Sequence, residues 1–361
     1  MTDNVRTTAP KILELIQASK NILLHCHPFP DPDSVASALA TKAVLEQLGK
    51  KVTIIRGDSP IPLAFSHFPG FSAIVLKNFF EIMAEVANDA TTSDNISSFD
   101  LFIIQDSGSI DRVSSLGTVV FPSTMKTIVI DHHVSNTSFA HDINLVEPTY
   151  PATALILYDL FKLWNITLTP DIAANLFIGM YTDTGGFKYN SVTPETFLAA
   201  AELVRIYADF SRLISTMENS RRPEELTFQG LALSNIVQFP ISHGTSSAGS
   251  SVGSDKYAAL ATVSYEDLQR CGLSAEDASA SLIATILKSV TGWDFGAGLV
   301  EIEPGKVKVS FRARNSDTCD LSVIAAKLGG GGHKAAAAAV VLGNIDEVKK
   351  KVIDTVQATV L

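Results

Sequence analysis

The chain has 361 residues, and 38 acidic against 28 basic side chains leave a formal net charge of −10. With 46% hydrophobic and only 18% charged residues, it is too apolar for a disordered protein and too acidic to neutralise a long nucleic-acid duplex. No stretch approaches the roughly 18 unbroken apolar residues of a membrane span, and at about 150 residues per domain the length predicts two domains.

The N-terminal Met1–Pro10 is polar and lacks the basic-then-apolar pattern of a secretion signal. Cys26, Cys271 and Cys319 lie far apart, without metal-binding spacing, so a reduced, cytoplasmic protein is expected. Through residue 205, short β-rich runs alternate with amphipathic stretches, the signature of a parallel α/β sheet. Strands are predicted at Asn21–Cys26, Lys51–Arg56, Ala73–Leu76, Leu101–Gln105 and Thr127–Ile130. Helices are predicted at Asp33–Leu48, stopped by Gly49, and at Ala152–Trp164, Asp171–Tyr181 and Pro194–Tyr207. Thr193 caps the last of these, with Pro194 in its first turn.

Residues 206–240 read as a connecting helical segment, and the Gly/Ser-rich 244–254 as an exposed loop. A strand (Tyr257–Val263) and two helices opened by the capping boxes Ser264-x-x-Asp267 and Ser274-x-x-Asp277 follow. Then comes a hairpin, Phe295–Ile302 with Lys306–Arg312, turning at Glu303-Pro-Gly305. The chain ends in a helix, a glycine run, an alanine run and a final helix near Ile345–Val360.

Four places put Asp or His at a predicted strand end or beyond a helix. They are His27-Pro-Phe-Pro-Asp31-Pro-Asp33, Asp106, Asp131-His132-His133 and Asp183 in YTDTGG. In an open parallel sheet the loops beyond the carboxyl ends of the strands converge on one crevice. A lone Asp after a strand is more often a cap or turn former, but four such clusters are poorly explained that way. Carboxylates gathered without cations repel one another. A mixed imidazole and carboxylate shell suits manganese, iron, cobalt or zinc better than calcium. One carboxylate can bridge two ions in a site built for attack on phosphorus. His25, two residues before His27, reads as a core histidine, and His67, His141 and His243 have no supporting pattern. In the second half, Gly329–Gly332 precede His333, with Arg312 and Arg314 upstream. Bare glycine N–H groups and planar guanidinium groups both suit an anion.

HPFPDPD, the isolated Asp106, DHH at 131–133 and YTDTG around Asp183 resemble the ordered motifs of the DHH phosphoesterase superfamily. KVSFRARN at 308–315 and GGGGHKAAAA at 329–338 resemble its C-terminal DHH-associated domain. Ala313 and Ala338 depart from that pattern, which commonly has serine and glycine there. The resemblance implies an α/β protein with a parallel-sheet DHH domain over 1–205, a helical linker over 206–240, and a smaller mixed α/β domain over 241–361. A cleft would lie between the two domains. Within the superfamily the likeness is greatest to enzymes that degrade very short RNAs and dephosphorylate 3′-phosphoadenosine 5′-phosphate. It implies two divalent cations, manganese foremost with magnesium or cobalt as alternatives. His27 and Asp31 would hold one, Asp33, His132 and Asp183 the other, and Asp106 would bridge them.

On the same pattern Asp131 would orient the ligand histidines and His133 would face the scissile phosphate, with in-line attack by a metal-bridging hydroxide. Arg312, Arg314, Gly330, Gly331, Gly332 and His333 would hold the rest of a short oligonucleotide or nucleotide. Neither long duplex nor membrane is an expected partner, and a homodimer is. The rival readings are a cyclic- or linear-dinucleotide phosphodiesterase, a manganese inorganic pyrophosphatase, against which GGGGH argues, and a non-catalytic nucleotide-binding regulator.

Overall fold

The computed structural model describes residues 1–89, 99–242, 256–275, 278–314 and 319–360. The 244–254 loop, Asn315 and Asp277 of the second expected capping box lie outside the described residues. The chain forms two compact units, Met1–Ser220 and Arg221–Leu361. Among the described residues no helix is long and apolar enough to cross a membrane.

The first unit runs α1 (Asp3–Ala18), β1 (Asn21–His25), α2 (Pro32–Gln47), β2 (Lys51–Ile55), β3 (Ile74–Val75), α3 (Phe79–Asp89), β4 (Leu101–Gln105), β5 (Lys126–Asp131) and β6 (Ile143–Val146). It closes with α4 (Thr153–Leu163), α5 (Pro170–Asp183), α6 (Pro194–Ile206) and α7 (Phe210–Glu218). All the strand pairs are parallel, in the order β3-β2-β1-β4-β5-β6. Because the sheet is covered on both faces, its central strands are mostly apolar and buried, as LFIIQ of β4, buried at every position, shows. One face packs Leu24, Ile54, Ile103 and Ile130 under α2, α4 and α5. The other packs Leu23, Phe102 and Val129 with Phe79 and Phe121. The strand order reverses between β1 and β4, and in a doubly wound sheet that reversal opens a crevice at the carboxyl ends. The chain therefore delivers the loops after β1, β4 and β5 to one place.

Three elements of this unit were not expected. The polar N-terminus is the start of α1, capped by Thr2 and burying Val5, Ala9, Ile12 and Ile16 along one stripe. Helix α3 and the edge strand β6 are the others.

The second unit contains α8 (Pro223–Ser234), β7 (Ile236–Ser242), β8 (Lys256–Val263), α9 (Tyr265–Arg270), α10 (Ala280–Lys288), β9 (Trp293–Glu303) and β10 (Lys306–Ala313). Then follow α11 (Leu321–Lys327), β11 (Gly331–His333), β12 (Ala336–Leu342) and α12 (Ile345–Val360). Its sheet, β11-β12-β10-β9-β8-β7, is mixed, with β8 and β9 the parallel pair. Gly296 and Gly298 let α10 lie directly on β9, since a Cβ at either would run into that helix's backbone. Ser264 caps α9 as expected, but α10 starts later than Ser274. Its cap is Ser279, whose hydroxyl accepts the N–H of Leu282.

The segment 206–240 is not a separate linker. Helix α7 buries Leu213 in the first core, whereas α8 buries Phe228 and Ala232 in a core of the second unit. The division falls between Ser220 and Arg221, and the expected helical segment ends in strand β7.

Candidate metal centre

Pro28 and Pro30 stiffen the loop after β1, Pro32 opens α2, and the N–H of His27 donates to Ser34 Oγ at 3.1 Å. Asp31 caps α2 with one oxygen, accepting the Ser34 N–H at 2.9 Å, and turns the other to within 3.2 Å of His27 Nε2. One oxygen of Asp31 thus serves the helix cap, and the other is left facing His27.

Asp33, in the first turn of α2, is fully buried. Its carboxylate accepts the N–H groups of Thr153 (2.7 Å) and Ala154 (3.1 Å), the first residues of α4, and the hydroxyl of Ser37 (3.1 Å). A carboxylate at a helix N-terminus satisfies N–H groups that have no partner within the helix. Helix α5 passes so close that a Cβ at Gly179 would collide with Asp33 Oδ1 and the Ala154 side chain. One turn later, on the same face of α5, comes Asp183.

Asp106 sits where β4 ends, in a left-handed conformation (φ 53°) that aspartate tolerates better than most residues. It is 2% exposed, and its two oxygens serve different neighbours. Oδ2 lies 3.8 Å from His27 Nε2, while Oδ1 accepts the Thr153 hydroxyl (3.0 Å) and lies 3.5 Å from His132 Nε2. His132 Nε2 is also 3.1 Å from Asp183 Oδ2. The other nitrogen of His132, Nδ1, lies 3.3 Å from the Tyr150 carbonyl oxygen, which can only accept. Nδ1 therefore carries a proton, and Nε2 is the nitrogen turned toward the carboxylates. His133 Nδ1 donates to Asp131 Oδ1 at 2.7 Å, and the second Asp131 oxygen accepts the Asn136 side-chain amide at 2.6 Å.

Ligand-type atoms thus converge in three groups: His27, Asp31 and Asp106; Asp33, His132 and Asp183; and Asp106, His132 and His133. The electrostatics favour added positive charge. Burial, then the charges of Asp106 and Asp183, push the Asp33 carboxyl well above the usual carboxylate range. Burial and Asp106 raise Asp183 as well. The carboxylates hold positive charge on His132 against the effect of burial, with a pKa pushed up to about 12. Yet its buried Nε2 has no well-formed hydrogen bond. An orphaned imidazole nitrogen facing carboxylates that resist joint ionisation fits divalent cations bound to neutral imidazole and ionised carboxylate.

Asp131 is held below its ordinary value, the hydrogen bonds from His133 and Asn136 outweighing its burial. It therefore stays a carboxylate that orients a histidine. His25 is the core histidine expected. It is 1% exposed, packs edge-on against Phe102, and burial lowers its pKa to about 3.

In the second unit, Arg312 donates to the Phe311 carbonyl and to Ser281 Oγ, both at 2.9 Å. Arg314 donates to the carbonyl of Val290 at 2.8 Å, just past the end of α10. The four glycines differ from the expected open anion loop. The N–H groups of Gly329 and Gly330 close α11 by donating to Ala326 and Ala325 carbonyls. Gly331 and Gly332, with His333, form β11 against β12. Glycine is required for closeness, since a Cβ at Gly330 or Gly332 would strike the β12 backbone. His333 and Gly331 are exposed at this edge.

Thr153, Ser37 and Asn136 went unnoticed in the sequence. Thr153 opens a predicted helix and Asn136 follows the DHH run, but nothing in their spacing ties them to Asp33, Asp106 or Asp131.

Comparison with known proteins agrees with both halves. The DHH family, N-terminal domain, matches residues 21–180, and the DHHA1 domain matches 259–358. A bifunctional oligoribonuclease and PAP phosphatase NrnA of Thermus thermophilus is 26% identical over 353 residues, spanning 96% of this chain and 92% of the relative. The protein of the same name from Bacillus subtilis is 23% identical over 313 residues, 84% of this chain and 85% of the relative. The crystal structure of an exopolyphosphatase-related protein from Bacteroides fragilis shares the fold. Its TM-score is 0.79 at 22% identity, covering 98% of this chain and 97% of that one. The chain belongs to the DHH phosphoesterase superfamily, with an N-terminal DHH domain followed by a DHHA1 domain.

Proposed function

We propose that this DHH phosphoesterase binds two divalent cations, manganese foremost, and hydrolyses short oligoribonucleotides to mononucleotides and 3′-phosphoadenosine 5′-phosphate to AMP. The observation that carries the reading is Asp106, whose two oxygens face two separate histidine–carboxylate groups. In this reading His27 and Asp31 hold one cation, Asp33, His132 and Asp183 the other, and Asp106 is shared. Bound cations supply Lewis-acid neutralisation of the phosphate oxygens and water activated at neutral pH. The protein contributes the rest. Helix α4 and Ser37 keep Asp33 aimed, and Thr153 fixes one Asp106 oxygen. Asp131 holds His133 by Nδ1, leaving Nε2 for a phosphate oxygen of the substrate.

The substrate class follows the relatives named for oligoribonuclease and PAP phosphatase activity. Arg312 and exposed His333 in the DHHA1 domain bind the remaining phosphate or terminal nucleotide. A cytoplasmic setting belongs to the same reading, and all three cysteines are free thiols.

The test is product analysis with manganese present. Substrates are RNAs of two to five nucleotides, a linear and a cyclic dinucleotide, 3′-phosphoadenosine 5′-phosphate and pyrophosphate. Mononucleotides from the short RNAs and phosphate from the bisphosphate are expected. Activity confined to the cyclic dinucleotide or to pyrophosphate, or no hydrolysis at all, contradicts the assignment.

A further inference from the structure

We propose that Asn136 is a positioning residue for the hydrolysis, its side-chain amide locking Asp131 and thereby fixing the tautomer and direction of His133. The inference rests on the reading of His133 given above. Asp131 is fully buried, so both oxygens require donors. His133 Nδ1 takes Oδ1 and the Asn136 amide nitrogen takes Oδ2. The same nitrogen donates to the carbonyl of Ser107 at 3.1 Å, the residue after Asp106. Asn136 Oδ1 accepts the N–H of Ser138 at 2.7 Å. This pattern settles the amide's orientation, because a flipped amide would set its oxygen against two acceptors and its nitrogen against a donor.

One side chain therefore ties the loop carrying the shared aspartate to the loop carrying the histidine pair. Neighbouring backbone reinforces the tie. Thr137 N–H donates to the Gly108 carbonyl (2.9 Å), and Asn136 N–H to that of His133 (3.1 Å). Ser138 is held at φ 52°, left-handed. Without the amide, Asp131 Oδ2 is left unpaired and the carboxylate is free to turn. His133 then loses the acceptor that keeps its proton on Nδ1 and its Nε2 outward.

The experiment compares Asn136→Asp, which keeps the shape and replaces the donor with an acceptor, with Asn136→Ala, which serves if the first does not fold. Outer partners of metal-site residues typically change activity by about 10–100-fold. The same fall in kcat is expected here, with KM unchanged and the cation content of the wild type retained. Nitrogen NMR of histidine-labelled protein, with His133→Gln for assignment, should show a single Nδ1–H form for His133 in the wild type and a mixture in the variants. The proposal is overturned if the His133 signals match in wild type and variants. It is equally overturned if kcat stays within twofold, or if the lost activity follows lost cation or lost folded protein. A wild type that hydrolyses no phosphoester refutes the functional reading, whereas the tautomer comparison still decides the role of Asn136.

Discussion

The two units hold their functional side chains in opposite ways. In the DHH domain, the candidate ligands come from segments about 150 residues apart; His27, Asp33 and Asp106 are buried, Asp31, His132 and Asp183 are half-buried, and most are held by a second contact. Asp33 has three donors, Asp106 a hydroxyl, His132 a carbonyl and His133 a carboxylate. In the DHHA1 domain, His333 and the glycines lie within a few residues of one another on an exposed edge hairpin. The first arrangement fixes geometry before a substrate arrives, as chemistry on phosphorus demands. The second leaves one imidazole exposed at an edge where, on the proposed reading, affinity rather than reaction geometry would be set.

Four substitutions probe that contrast. The largest effect is expected for Asp106→Ala: turnover of short RNA falls below detection while circular dichroism keeps the wild-type fold, and near-normal rates would remove its shared role. Gly179→Ala comes next, because the added methyl group meets Asp33 and Ala154 in a packed core. Overpacking of this kind destabilises by roughly 1–3 kcal/mol, and here it also displaces a carboxylate. Denaturant unfolding and manganese titration should both report the change. His333→Ala, on the exposed edge, should raise KM several-fold with kcat nearly unchanged, since it removes binding common to ground and transition states. The smallest effect is expected for Arg314→Ala. Its bond to the Val290 carbonyl makes it an anchor for the end of α10, and its loss should lower stability by about 0.5–1.5 kcal/mol and leave KM alone. A large KM effect would return Arg314 to the binding surface.

Much of the DHH domain was legible because its signal is physical and local. Largely apolar strands such as LFIIQ run into an Asp, Gly49 stops α2, and Thr193-Pro194 opens α6. The convergence of Asp31, Asp33, Asp106, His132 and Asp183 followed from parallel-sheet topology. What escaped depends on tertiary contacts. Thr153 and Asn136 matter only because helix α4 and the loop at 133–138 fold back onto residues far away or around a corner. The left-handed φ of Asp106 is likewise set by its surroundings, as its sequence neighbours are ordinary. In the DHHA1 domain, the glycine run suggested an open anion loop because bare N–H groups are what a sequence displays. The hairpin that uses them for helix closure and strand contact is visible only in the fold. The boundary was misplaced for a similar reason, since α7 and α8 differ in the core they join, not in composition.

If the DHH domain holds two cations that share Asp106, they can be counted. Metal-stripped wild type and Asp106→Ala should be titrated with manganese by calorimetry, and bound metal counted after desalting. Two ions per wild-type chain and loss of at least one in the variant are expected, with the stability of the wild type rising on loading by about 2.7 kcal/mol per ion at a hundredfold excess over Kd. No stoichiometric binding in the wild type, or the same number bound by both proteins, would contradict the shared site.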